Sequence, residues 1–227
     1  MNMKDTDFII AEAVLSQPEK FWTARDFIKI NQKNVVKFFT QLIEVQIFKR
    51  NSSRGPNSAA ALQNPEKLLV LCVEAFEPWY KTYSFICLSS PKTLYEKLNQ
   101  TGIQWYLGDF DGLKPQLKLS SRSGTTLLIP GKSLFMSHSF LNFQFKMGLN
   151  RVSMGGNVYI HLPKYWRFLA SSHQTISGIK IPSDFYSYLC LKNTNSPLAV
   201  TQISHMEKCL RKRAGSFLAW SNPKSAK

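Results

Sequence analysis

Along the first sixty residues the apolar positions recur at three- and four-residue steps, the period of a helix with one buried face. In "DTDFIIAEAVLSQ", from Asp5, Phe8, Ile9, Ala11, Ala13, Val14 and Leu15 follow that period until Pro18 stops it. "WTARDFIKI" opens with Thr23 and, three residues on, Asp26, a capping-box pairing that predicts a short second helix apolar at Ala24, Phe27 and Ile28. Asn31 then caps a third, "QKNVVKFFTQLIEV", with Val35, Phe38 or Phe39, and Leu42 turned inward. "QIFKRNSSRGPNS" reads as a strand start and a basic polar turn, returning into "SAAAL".

Further on, the pattern alternates between the two periods. "NPEKLLVLCVEAFEPW" predicts a helix capped by Asn64 and stopped by Pro78, and "SPKTLYEKLNQTG" another, capped by Ser90 and ended at Gly102. The stretches "IQWYLGDF", "LKLSS", "TTLLIPG", "SLFMSHSFLNFQF" and "NVYIHLP" are β-branched and aromatic between Gly, Pro and Ser, which predicts strands. "PSDFYSYLCLK" and "SPLAVTQISHMEKCLRKRA" return to helix. The expected fold class is α+β. Residues 1–62 form a winged helix-turn-helix, 63–90 a linker helix and connection, 91–215 a mixed α/β C-terminal domain, and 216–227 a flexible basic tail.

The winged helix-turn-helix expectation rests on the order helix, helix, helix, basic hairpin, together with the polar face of the third helix. That face carries Gln32, Lys33, Asn34, Lys37, Thr40 and Gln41, side chains that pair with phosphates or base edges, with Glu44 at its far end. Candidate DNA contacts are therefore Thr23, Arg25, Gln32, Lys33, Asn34, Lys37 and Gln41, with Lys49, Arg50, Ser52, Ser53 and Arg54 from the hairpin. Glu44-Val45 stands where such domains often place a glycine to leave the third helix.

Charge changes the picture most. The chain carries 29 Lys and Arg against 14 Asp and Glu, a net charge of +15, and such a surface attracts polyanions. From Gly112 to Ser183 there is no acid at all, so Lys146, Arg151, Lys164 and Arg167 are candidate backbone contacts, joined by Arg211 and Arg213 near the end of the last helix. The hydrophobic fraction of 44% excludes disorder, and the absence of any eighteen-residue apolar run argues against a membrane span. Cys72, Cys87, Cys190 and Cys209 stand apart with no C-x-x-C pair, which predicts reduced thiols and a cytoplasmic protein.

Catalytic signatures are sparse. Asp109 and Asp111, two apart, would share one face of a strand and hold a divalent metal, as in a magnesium-dependent nucleotidyltransferase; "DFDG" is equally an ordinary turn. His138, His161, His173 and His205 form no metal-ligand spacing, and "PGKSLF" lacks the upstream glycine of a phosphate loop, so no cofactor is expected. "SMGGN" reads as a tight turn feeding a strand. A non-catalytic protein whose basic face binds an acidic partner fits the same composition.

The succession "LYEKLNQTGIQWYLGDFDGLK", "GLNRVSMGGNVYIHLPKYWRFL" and "ISGIKIPSDFYSYLCLKN" resembles the C-terminal half of AbiE-type antitoxins and related winged-helix regulators, over about Leu94 to Arg213. The resemblance implies a DNA-binding autorepressor, with double-stranded DNA, a cognate toxin and a second copy of the chain as partners. Where that family has small residues after the first strand, this chain has "GDFDGLK".

Overall fold

The computed structural model describes residues 2–51, 58–108, 124–137, 140–194, 197–213 and 216–218. The chain is α+β and forms two compact units, Met1–Phe76 with Lys192–Lys227, and Glu77–Leu191. This division differs from the expected one. The second unit starts at Glu77, inside the expected 63–90 connection and not at residue 91, and the last helix groups with the first unit.

In the first unit, α1 (Asp5–Ser16) is followed by β1 (Phe21–Trp22), a 3-10 turn (Ala24–Asp26) and α2 (Gln32–Glu44). Next come β2 (Phe48–Arg50), β3 (Ala60–Leu62) and α3 (Pro65–Ala75). The three strands make an antiparallel sheet ordered β1-β3-β2, with Phe48 opposite Leu62 and Trp22 opposite Ala60. The expected second helix is a single 3-10 turn. Only three residues separate Thr23 from Phe27, which is drawn into the core, and Asn31 already caps the next helix, so no stretch is long enough to propagate.

A relay of rings holds these pieces together. Trp22 stacks on Phe27 at 5.2 Å, Phe27 meets Phe39 of α2 edge-on at 6.0 Å, and Phe39 meets Phe48 of β2 at 5.1 Å. The first strand, the 3-10 turn, α2 and the hairpin are thus keyed to one another by burial of large apolar area. Phe8 of α1 packs edge-on against Phe76 at 5.3 Å.

In the second unit, a five-stranded sheet is built from β4 (Trp79–Cys87), β5 (Tyr106–Leu107), β6 (Thr125–Leu128), β7 (Leu149–Val152) and β8 (Val158–Pro163). Its order is β5-β6-β8-β4-β7, antiparallel except for β6 beside β8. Here α4 (Pro91–Gln100), α5 (Gly131–Ser137) and α6 (Phe140–Met147) share one core with the sheet: Leu94, Leu98, Leu134, Phe143 and Met147 pack with Phe85, Leu127, Ile160 and Leu162.

Two expectations are corrected here. "WYKTYSFIC", assigned to a connection, is a central strand whose Tyr83, Phe85 and Cys87 alternate into the core. "SLFMSHSFLNFQF", expected as a strand, supplies α5 and α6. Phe140, Phe143 and Met147 meet the core at helical spacing, so tertiary burial overrides the β preference of its aromatics. Among the described residues of "IQWYLGDF" the strand is Tyr106–Leu107, and its last two residues and "LKLSS" lie outside the described residues.

The unit is completed by α7 (Trp166–Ser171), the hairpin β9 (His173–Ile176) and β10 (Ile179–Pro182), and α8 (Asp184–Lys192). The hairpin turns on Ser177 and Gly178, both at positive φ, the arrangement that suits a two-residue β-turn. The last helix, α9 (Pro197–Arg211), returns to the first unit.

Candidate nucleic-acid interface

The expected recognition face begins with how α2 is started and stopped. Asn31 accepts the Lys33 amide through Oδ1 at 2.9 Å, which satisfies one orphan donor of the first turn. At the other end the Ile47 amide reaches back to the Leu42 carbonyl at 2.8 Å and the Gln46 amide to Ile43 at 3.0 Å, a Schellman closure. Gln46 therefore sits at φ 57°, the conformation glycine usually supplies, so the missing glycine is replaced by a strained glutamine two residues past Glu44. Lys67 Nζ donates to the freed Val45 carbonyl at 2.7 Å. The hairpin strand starts at Phe48.

Between these ends α2 has two opposite stripes. Val35, Phe38, Phe39 and Leu42 are buried; Lys33, Val36, Lys37 and Thr40, at the same i, i+3, i+4, i+7 spacing, are exposed, and Glu44 closes that stripe. Gln32 and Asn34 are exposed on its flanks and Gln41 is half-buried. Thr40, exposed, donates its hydroxyl to the Val36 carbonyl at 2.9 Å.

Beside the stripe lies a groove of about 200 Å³ floored by Val36, Phe39, Thr40 and Ile43 of α2 and Ala60 of β3. Arg25 from the 3-10 turn and Arg50 from β2 line it together with Gln32 and Ser58, and no carboxylate contributes. Arg25, Lys49 and Arg50 are exposed. The hairpin arms are tied above β2 by the Asn51 amide donating to the Ala59 carbonyl at 2.9 Å. Cations 25 residues apart in sequence thus line one concavity next to a polar helix face, an arrangement suited to a phosphate backbone.

Thr23 is engaged elsewhere. Its amide and hydroxyl both donate to Asp26 Oδ2, at 2.7 and 2.8 Å, and Lys20 Nζ lies 2.8 Å from the other oxygen. Partial burial pushes the Asp26 carboxyl up, but Lys20 and the two Thr23 bonds outweigh it and hold it below its ordinary value. This cluster fixes the turn that carries Arg25. Ser52, Ser53 and Arg54 lie outside the described residues.

In the second unit the expected cations are scattered. Arg151 on the edge strand β7 lies over the Tyr83 ring at 5.2 Å, with Lys81 at 5.1 Å from the same ring. Lys164 is taken up by an ion pair with Glu77, whose hydrogen bond raises the lysine's affinity for its proton. Lys146 and Arg167 are exposed on α6 and α7, and Arg211 and Arg213, in the first unit, are half-buried. Asp109, Asp111 and His138 lie outside the described residues. Among the described residues no three His, Cys, Asp or Glu cluster as metal ligands. His161 stacks on Trp79 at 4.1 Å and shares a 2.7 Å hydrogen bond with Thr82, the environment of a packed histidine.

Of the residues that line the groove, Thr40 belongs to the expected polar face, whereas Val36 and Ser58 are not among the expected contacts. Val36 was passed over because an apolar residue on a helix is assigned to the core; its angular position opposite Phe38 is the signal that would have found it. Comparison with protein-family models, with curated proteins and with solved structures finds no match. Among the described residues no helix is long and apolar enough to cross a membrane.

Proposed function

We propose that this chain is a DNA-binding transcriptional regulator whose first unit is a winged helix-turn-helix, with α2 entering the major groove and the β2–β3 hairpin acting as the wing. The observation that carries the proposal is the acid-free groove between α2, the 3-10 turn and the hairpin, flanked by Arg25 and Arg50. A helix laid in the major groove would present its exposed stripe to the base edges, and the groove would straddle one phosphate strand. The net charge of +15 adds a sequence-independent attraction.

The resemblance to AbiE-type antitoxins makes an autorepressor the specific form proposed, binding DNA as a dimer and holding a toxin through the second unit.

The test is duplex binding by fluorescence anisotropy across a salt series. With Arg25, Lys33, Lys37, Lys49 and Arg50 each neutralising a phosphate, log K is expected to fall against log salt with a slope of about −4 to −5. Arg50→Ala is expected to shallow that slope by about one. Binding that ignores salt, or an unchanged slope in the variant, overturns the interface.

A further inference from the structure

The outer stripe of α2 contains one side chain that phosphate binding does not account for. Val36 is 54% exposed, three residues after the exposed Lys33, next to the exposed Lys37, and one turn before Thr40. An aliphatic group gains nothing from a phosphate oxygen, and leaving it in water forgoes the burial available to an apolar residue. A protein partner is a poor occupant as well, because the exposed stripe otherwise carries Lys33, Lys37 and Thr40 and a specific protein interface needs a far wider buried patch.

A major groove offers one apolar feature on its base edges, the 5-methyl group of thymine. Resting on the winged-helix proposal above, we propose that Val36 is a specificity-determining residue that packs on a thymine methyl, with the exposed Thr40 one turn further on. Glu44 ends the readable face, since a carboxylate there repels the backbone. The division of labour is that Arg25 and Arg50 position the duplex while Val36 discriminates.

The experiment selects duplexes from a random-sequence library on the full-length protein, then replaces each enriched thymine in turn by deoxyuridine, which removes only the methyl. At one position the wild type is expected to lose about fourfold in affinity, the equivalent of ~0.8 kcal/mol for one buried methyl. Val36→Ala, an exposed substitution checked for folding by circular dichroism, is expected to bind thymine and deoxyuridine duplexes equally there, with its salt slope unchanged. If no enriched thymine responds to loss of its methyl, or if Val36→Ala keeps the full deoxyuridine penalty, the assignment of Val36 is overturned while DNA binding stands. If the library yields no salt-sensitive binding at all, the winged-helix proposal falls and this one with it.

Discussion

Two aspartates in the first unit are set in opposite directions by their surroundings. Asp26 is held below its ordinary 3.8 because Lys20 and Thr23 outweigh its partial burial. Its contribution to folding is therefore complete at pH values above the unfolded pKa and is lost as pH falls through the lower, folded value. Asp7, on α1, is raised above 3.8: desolvation outweighs the hydrogen bond from the Lys4 amide, 2.8 Å away, and the charges of Lys4 and Lys37. It opposes folding while ionised, and the penalty is relieved as pH falls through its raised folded value. Urea titrations of Asp26→Asn are expected to show a loss of about 0.5 kcal/mol at pH 7, discounted for the exposure of the pair, that closes as pH falls below the ordinary carboxylate value and through the lower, folded one. Asp7→Asn keeps an oxygen for the Lys4 amide and is expected to raise the midpoint at pH 7, with no gain once both states are protonated.

The ends of elements show where the backbone carries strain or lacks room. At the exit of α2, Gln46 holds φ 57° to complete the Schellman bonds, a conformation that costs a side-chain-bearing residue and suits glycine. Gln46→Gly is expected to stabilise the first unit by about 0.5–1 kcal/mol in thermal unfolding, without moving the hairpin. In the segment between β7 and β8 the reverse holds. A Cβ on Gly156 would lie 2.5 Å from the Phe85 carbonyl oxygen and 2.8 Å from its nitrogen, against backbone that cannot swing away. Next to it, the Asn157 side chain takes the place of a strand partner: Oδ1 accepts from the Cys87 amide at 2.7 Å and Nδ2 donates to its carbonyl at 2.8 Å. Gly156→Ala is expected to destabilise the second unit by about 3 kcal/mol or more, read as earlier urea unfolding of the sheet.

Taken together, the chain leaves the first unit after Phe76, builds the second as one continuous segment, and comes back at Lys192. The returning α9 buries Ala199, Met206 and Leu210, Lys192 pairs with Glu207 at 2.9 Å, and the Asn193 side chain donates to the Val73 carbonyl at 3.2 Å. A chain ending at Asn193 is therefore expected to lose amide-exchange protection in α1, α2 and α3, while peptides from β4 and β8 keep theirs. Equal protection in both units would mean that α9 contributes nothing to the first.

Local signals were strong where one short segment sufficed to meet its own needs. Asn31, Asn64 and Ser90 each supply the oxygen that a helix start requires, so these three caps were legible from single residues. So were the inward stripe of α2 and the hairpin strands at Phe48 and Ala60, because period and turn composition express which face is to be buried. Other features depend on partners distant in the chain. The aromatic stretch at Phe140–Met147 became helical because helical spacing delivers Phe140, Phe143 and Met147 to a shared core, and "WYKTYSFIC" became central because β7 and β8 flank it. Likewise, periodicity placed Lys33 and Lys37 on an outward face, but only packing through Trp22, Phe27, Phe39 and Phe48 brought Arg25 and Arg50 to one groove and left Val36 exposed in its lining. Periodicity encodes which face of an element turns inward; which faces meet is decided by the area the assembled core removes from water.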